Sequence, residues 1–475
     1  MNISNESELD SENLKKKQEK VNMMKRNCVA PCDRIMKCIS IFGVGLVMII
    51  ALCILACYMP QIKASREIKD MKLYGLALVD GMDSIEIPDH VKIVGLGEAT
   101  HGNLEFQDMK LELLKMLVEK YDFSAFAMEI PNCDGMKIDH YIRGEMDDEM
   151  TAEMIIKDIS YPIYNTDSMV MLIEYMKEYN SNVKEEEQLR FYGFDMQGLG
   201  YDVECLENDL EKLLGIIPYE EDKKVICDRM EDLEFLRNPN NSLDQELAEE
   251  MIVNMKLLKE ILIKSESLLA GISYIEEHLH TLDVCIQYIK YYSGGDTRDY
   301  KEGFSMRDSF MADNLEWMQT CEEERSIGKI LISAHNGHVN KKENVFGGYI
   351  SEKYGEDYYT VGTGFFLSDD NINDSRRLTV EYTRNNHRFC SGDVLAYQAK
   401  YFEGERYYLE LDKVPKGSDI YSIISKPNYM GYIGEGYSAD FYLYPEIYVR
   451  NKEVVAKIFD AMIYVYHVNP IKMLE

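Results

Sequence analysis

The alternation of strand-like and helical runs between Val91 and Ile130 constrains the fold more than any other stretch of this chain. Val91 to Leu96 (VKIVGL) is a β-rich run. Leu104 to Tyr121 then sets Phe106, Met109, Leu113, Leu117 and Tyr121 on one helical stripe, and Phe123 to Ile130 (FSAFAMEI) is a second apolar run that Pro131 stops. Two buried strands joined by one helix lie parallel with a right-handed crossover. Leu189–Gly193 (LRFYG), Lys329–Ser333 (KILIS) and Tyr358–Thr363 (YYTVGT) supply three more strands. The pattern predicts an α/β fold: a mostly parallel sheet flanked by helices.

Between the third and fourth of these strands the helical period takes over. Val203 to Ile217 is amphipathic, and Leu243 to Tyr292 holds a helical pattern with no proline. Ser242, with Gln245 three residues on, reads as a capping box. Residues 203–300 are therefore expected to be a helical insertion beside the sheet. Its acid clusters, such as Glu246 with Glu249 and Glu250, read as solvated faces.

The N-terminus has a different character. Cys38 to Met59 (CISIFGVGLVMIIALCILACYM) contains no Asp, Glu, Lys, Arg or His. At about 1.5 Å per residue it is long enough for a hydrocarbon layer of about 30 Å. Lys15, Lys16, Lys17, Lys20, Lys25, Arg26, Arg34 and Lys37 precede it, against Lys63, Arg66, Lys69 and Lys72 after it. That balance predicts a cytoplasmic tail over residues 1–37, an N-terminal transmembrane helix over 38–59, and a catalytic domain over 65–475 lying outside the cell, that is, a single-pass protein of the cell membrane. The alternative is a cleaved secretory signal, for which a basic lead of this length is long.

Charge narrows the partners. With 52 Lys+Arg against 84 Asp+Glu the formal charge is −32, which repels a polyanion and argues against nucleic acid as a partner. Cys28 and Cys32 form a lone pair, with no second pair to complete a zinc site. Cys133, Cys205, Cys227, Cys285, Cys321 and Cys390 are scattered and read as core thiols, with one or two disulfides open to an extracellular domain.

In an open parallel sheet, ligands bind at the carboxyl edge, so the residues that follow each strand matter most. The first strand runs into Gly97, Glu98, Ala99, Thr100, His101 and Gly102; the second ends in Glu129; the third runs into Asp195; the fourth gives Ala334, His335, Asn336, Gly337 and His338. The pattern predicts that three histidines and three carboxylates converge on one edge. Glu98 and His101 share a Gly-flanked turn that enters a helix, whose free N–H groups favour an anion. His335 and His338 flank Asn336-Gly337, a dipeptide suited to a tight turn. His278 and His280, two apart on a helix, point to different faces and read as surface or packing residues, as do His90, His140, His387 and His467.

Gly95-Leu96-Gly97 imitates a dinucleotide fingerprint, but Thr100 occupies the place of the third glycine, and Glu98 and His101 crowd the turn where pyrophosphate would sit. The chain has no Walker sequence, no HExxH and no G-x-S-x-G elbow, so the signatures of zincins and serine hydrolases are missing.

GEATHG at Gly97–Gly102, the strand ending in Glu129, FYGFDMQG at Phe191–Gly198, RDSFMADNL at Arg307–Leu315 and SAHNGHV at Ser333–Val339 together resemble the erythromycin esterase family, from about Tyr74 onward. The resemblance implies an α/β core with a cleft at the sheet edge. It also implies hydrolysis of a macrolactone or other carboxylic ester by activated water, with no serine nucleophile and no cofactor. Carried over by residue, His101 is the general base, Glu98 and Glu129 orient it, and His335 and His338 bind the carbonyl oxygen. Lys110, Asp195 and Arg307 are the substrate-binding positions. Lys110 stands where the family commonly has arginine, so the charge is kept without the bidentate fork. The implied partner is a small-molecule ester, with a macrolide as one candidate, and the membrane is a partner through the N-terminal helix. Two other readings stay open on the residues alone. One is a metal-dependent hydrolase with Glu98, His101, Glu129, His335 and His338 as ligands. The other is a non-catalytic surface protein that binds a small molecule in the same cleft.

Overall fold

The computed structural model describes residues 15–23, 43–48, 55, 59–79, 81–238, 241–265, 275–294, 299–325, 328–374, 383–438, 441 and 445–475. The chain divides into two compact units, 1–62 and 63–475. The second holds a nine-stranded sheet.

Its strands are β1 (Leu76–Ala77), β2 (Ile93–Glu98), β3 (Ala125–Pro131), β4 (Arg190–Asp195), β5 (Ile330–His335), β6 (Tyr358–Asn373), β7 (Arg384–Cys390), β8 (Arg406–Glu410) and β11 (Ala461–Val468); β9 (Asn428–Gly431) and β10 (Arg450–Glu453) form a separate antiparallel pair. The order is β1-β8-β11-β6-β2-β5-β3-β4, with β7 pairing the far half of β6. The strands β11, β6, β2, β5, β3 and β4 run parallel. β8, β1 and β7 attach antiparallel, so the sheet is mixed.

All six residues of β2 and of β5 are buried. This is why they read as continuous apolar runs and not as alternating ones: both faces of the sheet are covered. Val94, Leu96, Phe126, Met128 and Phe191 pack on one face. Ile93, Ala127, Phe194, Ile330 and Ile332 pack on the other. Helix α1 (Leu104–Tyr121) follows β2 and buries Phe106, Met109, Leu113 and Leu117, while Tyr121 stays partly exposed. Its chain reverses at Asp122, which takes the left-handed conformation (φ 57°) as the helix cap.

The stretch between β4 and β5 is helical throughout its described elements: α2 (Tyr201–Ile216), α3 (Glu220–Arg237), α4 (Gln245–Ser265), α5 (Ile275–Tyr292) and α6 (Tyr300–Glu324). α2 to α5 share a core of their own, built on Leu206, Leu210, Leu233, Met255, Leu258 and Leu282. The start of α4 differs from the expectation. Asp244, not Ser242, is the cap: its Oδ1 accepts the Leu247 N–H at 2.9 Å, because a carboxylate one residue before the helix reaches that donor directly. His278 and His280 are buried, the first against Asp209 at 2.8 Å and the second stacked on Trp317.

The expected transmembrane helix is corrected. Among the described residues no helix is long and apolar enough to cross a membrane, whereas a span needs about 20 consecutive helical residues. Within 38–59, helical backbone is described at 43–48, at 55 and at 59, and the remainder of that run lies outside the described residues. The single-pass cell-membrane placement and the membrane as partner fall with the helix. The six cysteines from Cys133 to Cys390 are free thiols.

Candidate active site

The parallel strands place their polar last residues side by side. Glu98 and His335 are paired residues of β2 and β5, so the ladder itself sets two of the expected site residues next to each other. β3 loses register between Met128 and Pro131, and Glu129 sits in that irregularity. Such a break re-aims a side chain: Glu129 Oε2 turns across the sheet edge and accepts the His335 N–H at 2.9 Å.

Glu98 is buried between an imidazole and an ammonium. Its Oε2 lies 3.1 Å from His101 Nδ1 and its Oε1 2.7 Å from Lys110 Nζ. Burial pushes this carboxyl up, but Lys110 and His101 outweigh it and hold Glu98 below the usual carboxylate range. A carboxylate on Nδ1 fixes the imidazole tautomer and leaves Nε2 as the free basic nitrogen. For His101 burial works against the charged form, but Glu98 outweighs it, with Glu129 and Glu435 adding to the pull, so the imidazole is raised above its ordinary value.

His335 is the opposite case. Its ring centroid is 5.2 Å from that of His101. Its Nδ1 accepts the Gly337 N–H at 3.1 Å, so the proton of the neutral ring sits on Nε2. That atom is buried and has no hydrogen-bond partner among the described residues. Burial, with His101 and His338 nearby, pushes His335 down to about 3. The two histidines are thus driven apart, one toward base and the other toward a permanently neutral donor.

Arg307, on α6, ties the other carboxylates together. Its Nη2 donates to Glu129 Oε1 at 2.8 Å and to Asp195 Oδ2 at 2.7 Å. Tyr161 donates its hydroxyl to the same Asp195 oxygen at 2.7 Å. His338 lies between Asp308, 2.8 Å from its Nδ1, and Glu129, 3.3 Å from its Nε2, with Phe304 stacked on the ring. Glu129, held by His338 and Arg307, stays ionised far below the usual carboxylate range despite its burial.

A cavity of about 930 Å³ opens over this cluster, within the usual range for small-molecule sites. His101, Glu129, Arg307, His335 and His338 line it. The other three expected residues do not. Glu98, Lys110 and Asp195 lie behind the lining, each almost wholly buried, so the structure gives Lys110 and Asp195 no open face toward a substrate. Lys110 reaches Glu98 and Gln107 and lies 4.9 Å from the centroid of the Tyr164 ring.

Sequence reasoning missed the walls. Tyr161, Tyr164, Tyr292, Tyr300, Phe304 and Tyr432 supply most of the aromatic lining, and Glu435 adds a carboxylate. They come from loops and helix ends with no period to reveal them; the one signal was bulk, 34 tyrosines against 16 phenylalanines. As to metal, among the described residues no group of three or more His, Cys, Asp and Glu side chains is arranged to hold an ion. Four of the five candidate ligands, Glu98, His101, Glu129 and His338, are turned instead toward Lys110, Arg307, Asp308 and one another.

The erythromycin esterase family model matches residues 118–468. YbfO of Bacillus subtilis strain 168, a protein assigned as a hydrolase, is 23% identical over 320 residues, 61% of this chain and 68% of that protein. Erythromycin esterase type II of Escherichia coli is 25% identical over 299 residues, 57% of this chain and 68% of that enzyme. Among solved structures, a Bacillus cereus protein superposes with a TM-score of 0.68 at 18% identity, covering 87% of this chain and 99% of its own. An erythromycin esterase mutant in its open conformation gives 0.55 at 17% identity, covering 81% and 93%. These structures share the fold.

Proposed function

This chain belongs to the erythromycin esterase family, and from that premise we propose that it is a hydrolase that cleaves a carboxylic ester, a macrolactone or a simpler one, with water activated by His101. The observation that carries the reading is the divergence of two facing imidazoles: His101 raised and held by Glu98, His335 pushed down to about 3 with an unpartnered N–H.

His101 Nε2 takes a proton from water, and the hydroxide formed adds to the ester carbonyl. The tetrahedral oxyanion is met by the Nε2–H of His335 and by the Arg307 guanidinium. Collapse breaks the acyl–oxygen bond, and the leaving alkoxide takes the proton back from His101, giving acid and alcohol. Glu98 is a positioning residue for His101, and Lys110 positions Glu98. Glu129 holds the His335 backbone and Arg307; Asp195 anchors Arg307 from behind; His338 keeps Glu129 and Arg307 in line. No step draws on a cofactor. The aromatic walls suit a bulky substrate with apolar faces.

The test is to incubate the full-length chain with a panel of macrolides and simpler lactones and to follow the gain of one water by mass spectrometry. Hydrolysis by the wild type that is lost in His101→Ala is the expected result. Wild-type turnover in His101→Ala, or turnover that vanishes on chelation and returns with added zinc, overturns it.

A further inference from the structure

The turn that carries His101 is held by a second carboxylate besides Glu98. Asp370, on β6, is fully buried, and its Oδ1 accepts the Thr100 hydroxyl at 2.8 Å. The same Thr100 oxygen accepts the Gly102 N–H at 3.0 Å. Residues 100 and 102 flank the imidazole, so one carboxyl oxygen fixes both shoulders of the turn. Contact there is close: a Cβ on Gly102 would stand 2.0 Å from Asp370 Oδ1. The neighbouring backbone of β6 continues the grip, with the Asn371 N–H donating to the Gly102 carbonyl at 3.1 Å and the Asn103 amide donating to the Asp369 carbonyl at 3.0 Å.

Asp370 holds this place at a cost. Its second oxygen, Oδ2, is buried with no hydrogen-bond partner among the described residues. An unsatisfied buried carboxyl oxygen is expensive. We propose that Asp370 is a positioning residue of the hydrolytic site: through Thr100 it sets the angle at which the His101 imidazole meets Glu98 and the cavity. This rests on the hydrolytic reading given above, and neither Asp370 nor Thr100 lines the cavity. The charged groups that bear on Asp370 are His101 from the turn, Glu435 from the segment after β9 and Arg384 from β7; burial first, then Glu435, raise it to about 7 against the pull of Thr100, His101 and Arg384.

The experiment compares full-length Asp370→Ala, Asp370→Asn, Thr100→Val and Thr100→Ser with wild type. The first readout is the titration of the His101 ring by NMR, its line identified by its loss in His101→Asn. The second is kcat and KM on an ester that the wild type hydrolyses. Asp370→Ala and Thr100→Val are expected to move the His101 midpoint down toward the ordinary histidine value. Because a displacement of about 1 Å costs on the order of 10²-fold, they are also expected to cut kcat by roughly that factor with KM nearly unchanged. Asp370→Asn, which keeps an acceptor for Thr100, and Thr100→Ser, which keeps the hydroxyl, are expected to stay near wild type in both. A wild-type titration and kcat in Asp370→Ala and Thr100→Val, with only a lower Tm, overturns the proposal, as does an Asp370→Asn variant as impaired as Asp370→Ala. Should the alanine variant fail to fold, Thr100→Val against Thr100→Ser decides the matter. The titration needs no substrate, so failure of the esterase reading and failure of this one are told apart.

Discussion

Lys110 brings its ammonium within 2.7 Å of Glu98 Oε1, with both side chains closed off from solvent. This cation faces a carboxylate that in turn holds the base, and it does not itself line the cavity.

Its removal is expected to be felt first in stability. Lys110→Met strands a buried carboxylate, and breaking such a pair costs about 3–5 kcal/mol; urea denaturation measures it. Lys110→Arg keeps the charge but must fit a larger group beside Tyr164, and is expected to lose less, about 1–3 kcal/mol. A Lys110→Met variant as stable as wild type would show that the pair contributes nothing.

The pH dependence of kcat/KM follows from His101. The base works only when unprotonated, and its pKa is raised, so the rate should climb with pH through a midpoint above the ordinary histidine value of about 6.5. His335, already neutral above about 3, adds no second limb between pH 5 and 8. A profile that falls over this range would assign His101 the role of acid.

His335→Asn separates structure from chemistry at one position. Asparagine can still accept the Gly337 N–H as an N-cap, but it lacks an N–H where Nε2 stood. Loss of one oxyanion donor is worth roughly 10²–10³ in kcat, and the expected outcome is a fall of that size with an unchanged Tm. Unimpaired turnover would remove His335 from the mechanism.

Asp393 offers a test of stability against pH, away from the site. It is buried, caps a short helix by accepting the Leu395 and Ala396 N–H groups, and burial raises it to about 7. An acid raised on folding binds more protons folded than unfolded between about pH 4 and 7. Its stabilisation is therefore full below the unfolded value and is lost as pH rises through the folded one. Asp393→Asn should gain on wild type as pH rises from 5 to 8, measured by Tm at each pH. A difference that does not change with pH would place its folded pKa near the unfolded value.

The elements that position the site were legible because each is an unbroken apolar run between polar punctuation. The apolar stripe of α1 gives its observed bounds, Leu104 to Tyr121. The apolar runs end short of the strands: β2 includes Glu98, β4 includes Asp195 and β5 includes His335. Polar residues there look like the start of a loop, yet they still pair in the ladder, which is how they come to be held rigidly. Lys110 stands among the substrate contacts only through the family resemblance; Glu98, across the turn, explains its burial. Asp370 left no sign at all, since it acts on a segment 270 residues away in the chain. Arg384–Cys390, Arg406–Glu410 and Ala461–Val468 are strands outside the predicted set, the first because its sequence, RNNHRFC, is mostly polar on an exposed edge.

The pairing of Glu98 with His335 ties the life of the site to the middle of the sheet. A slip of β5 by one residue would present Ala334 or Asn336 to Glu98, so no intermediate register preserves the two imidazoles. The amides around them sit in the central parallel strands, the part of such a molecule that opens to deuterium last. Heating should therefore leave the geometry intact until the whole sheet gives way, with the exposed Tyr292 and Tyr300 of the wall loosening well before the chemistry beneath them.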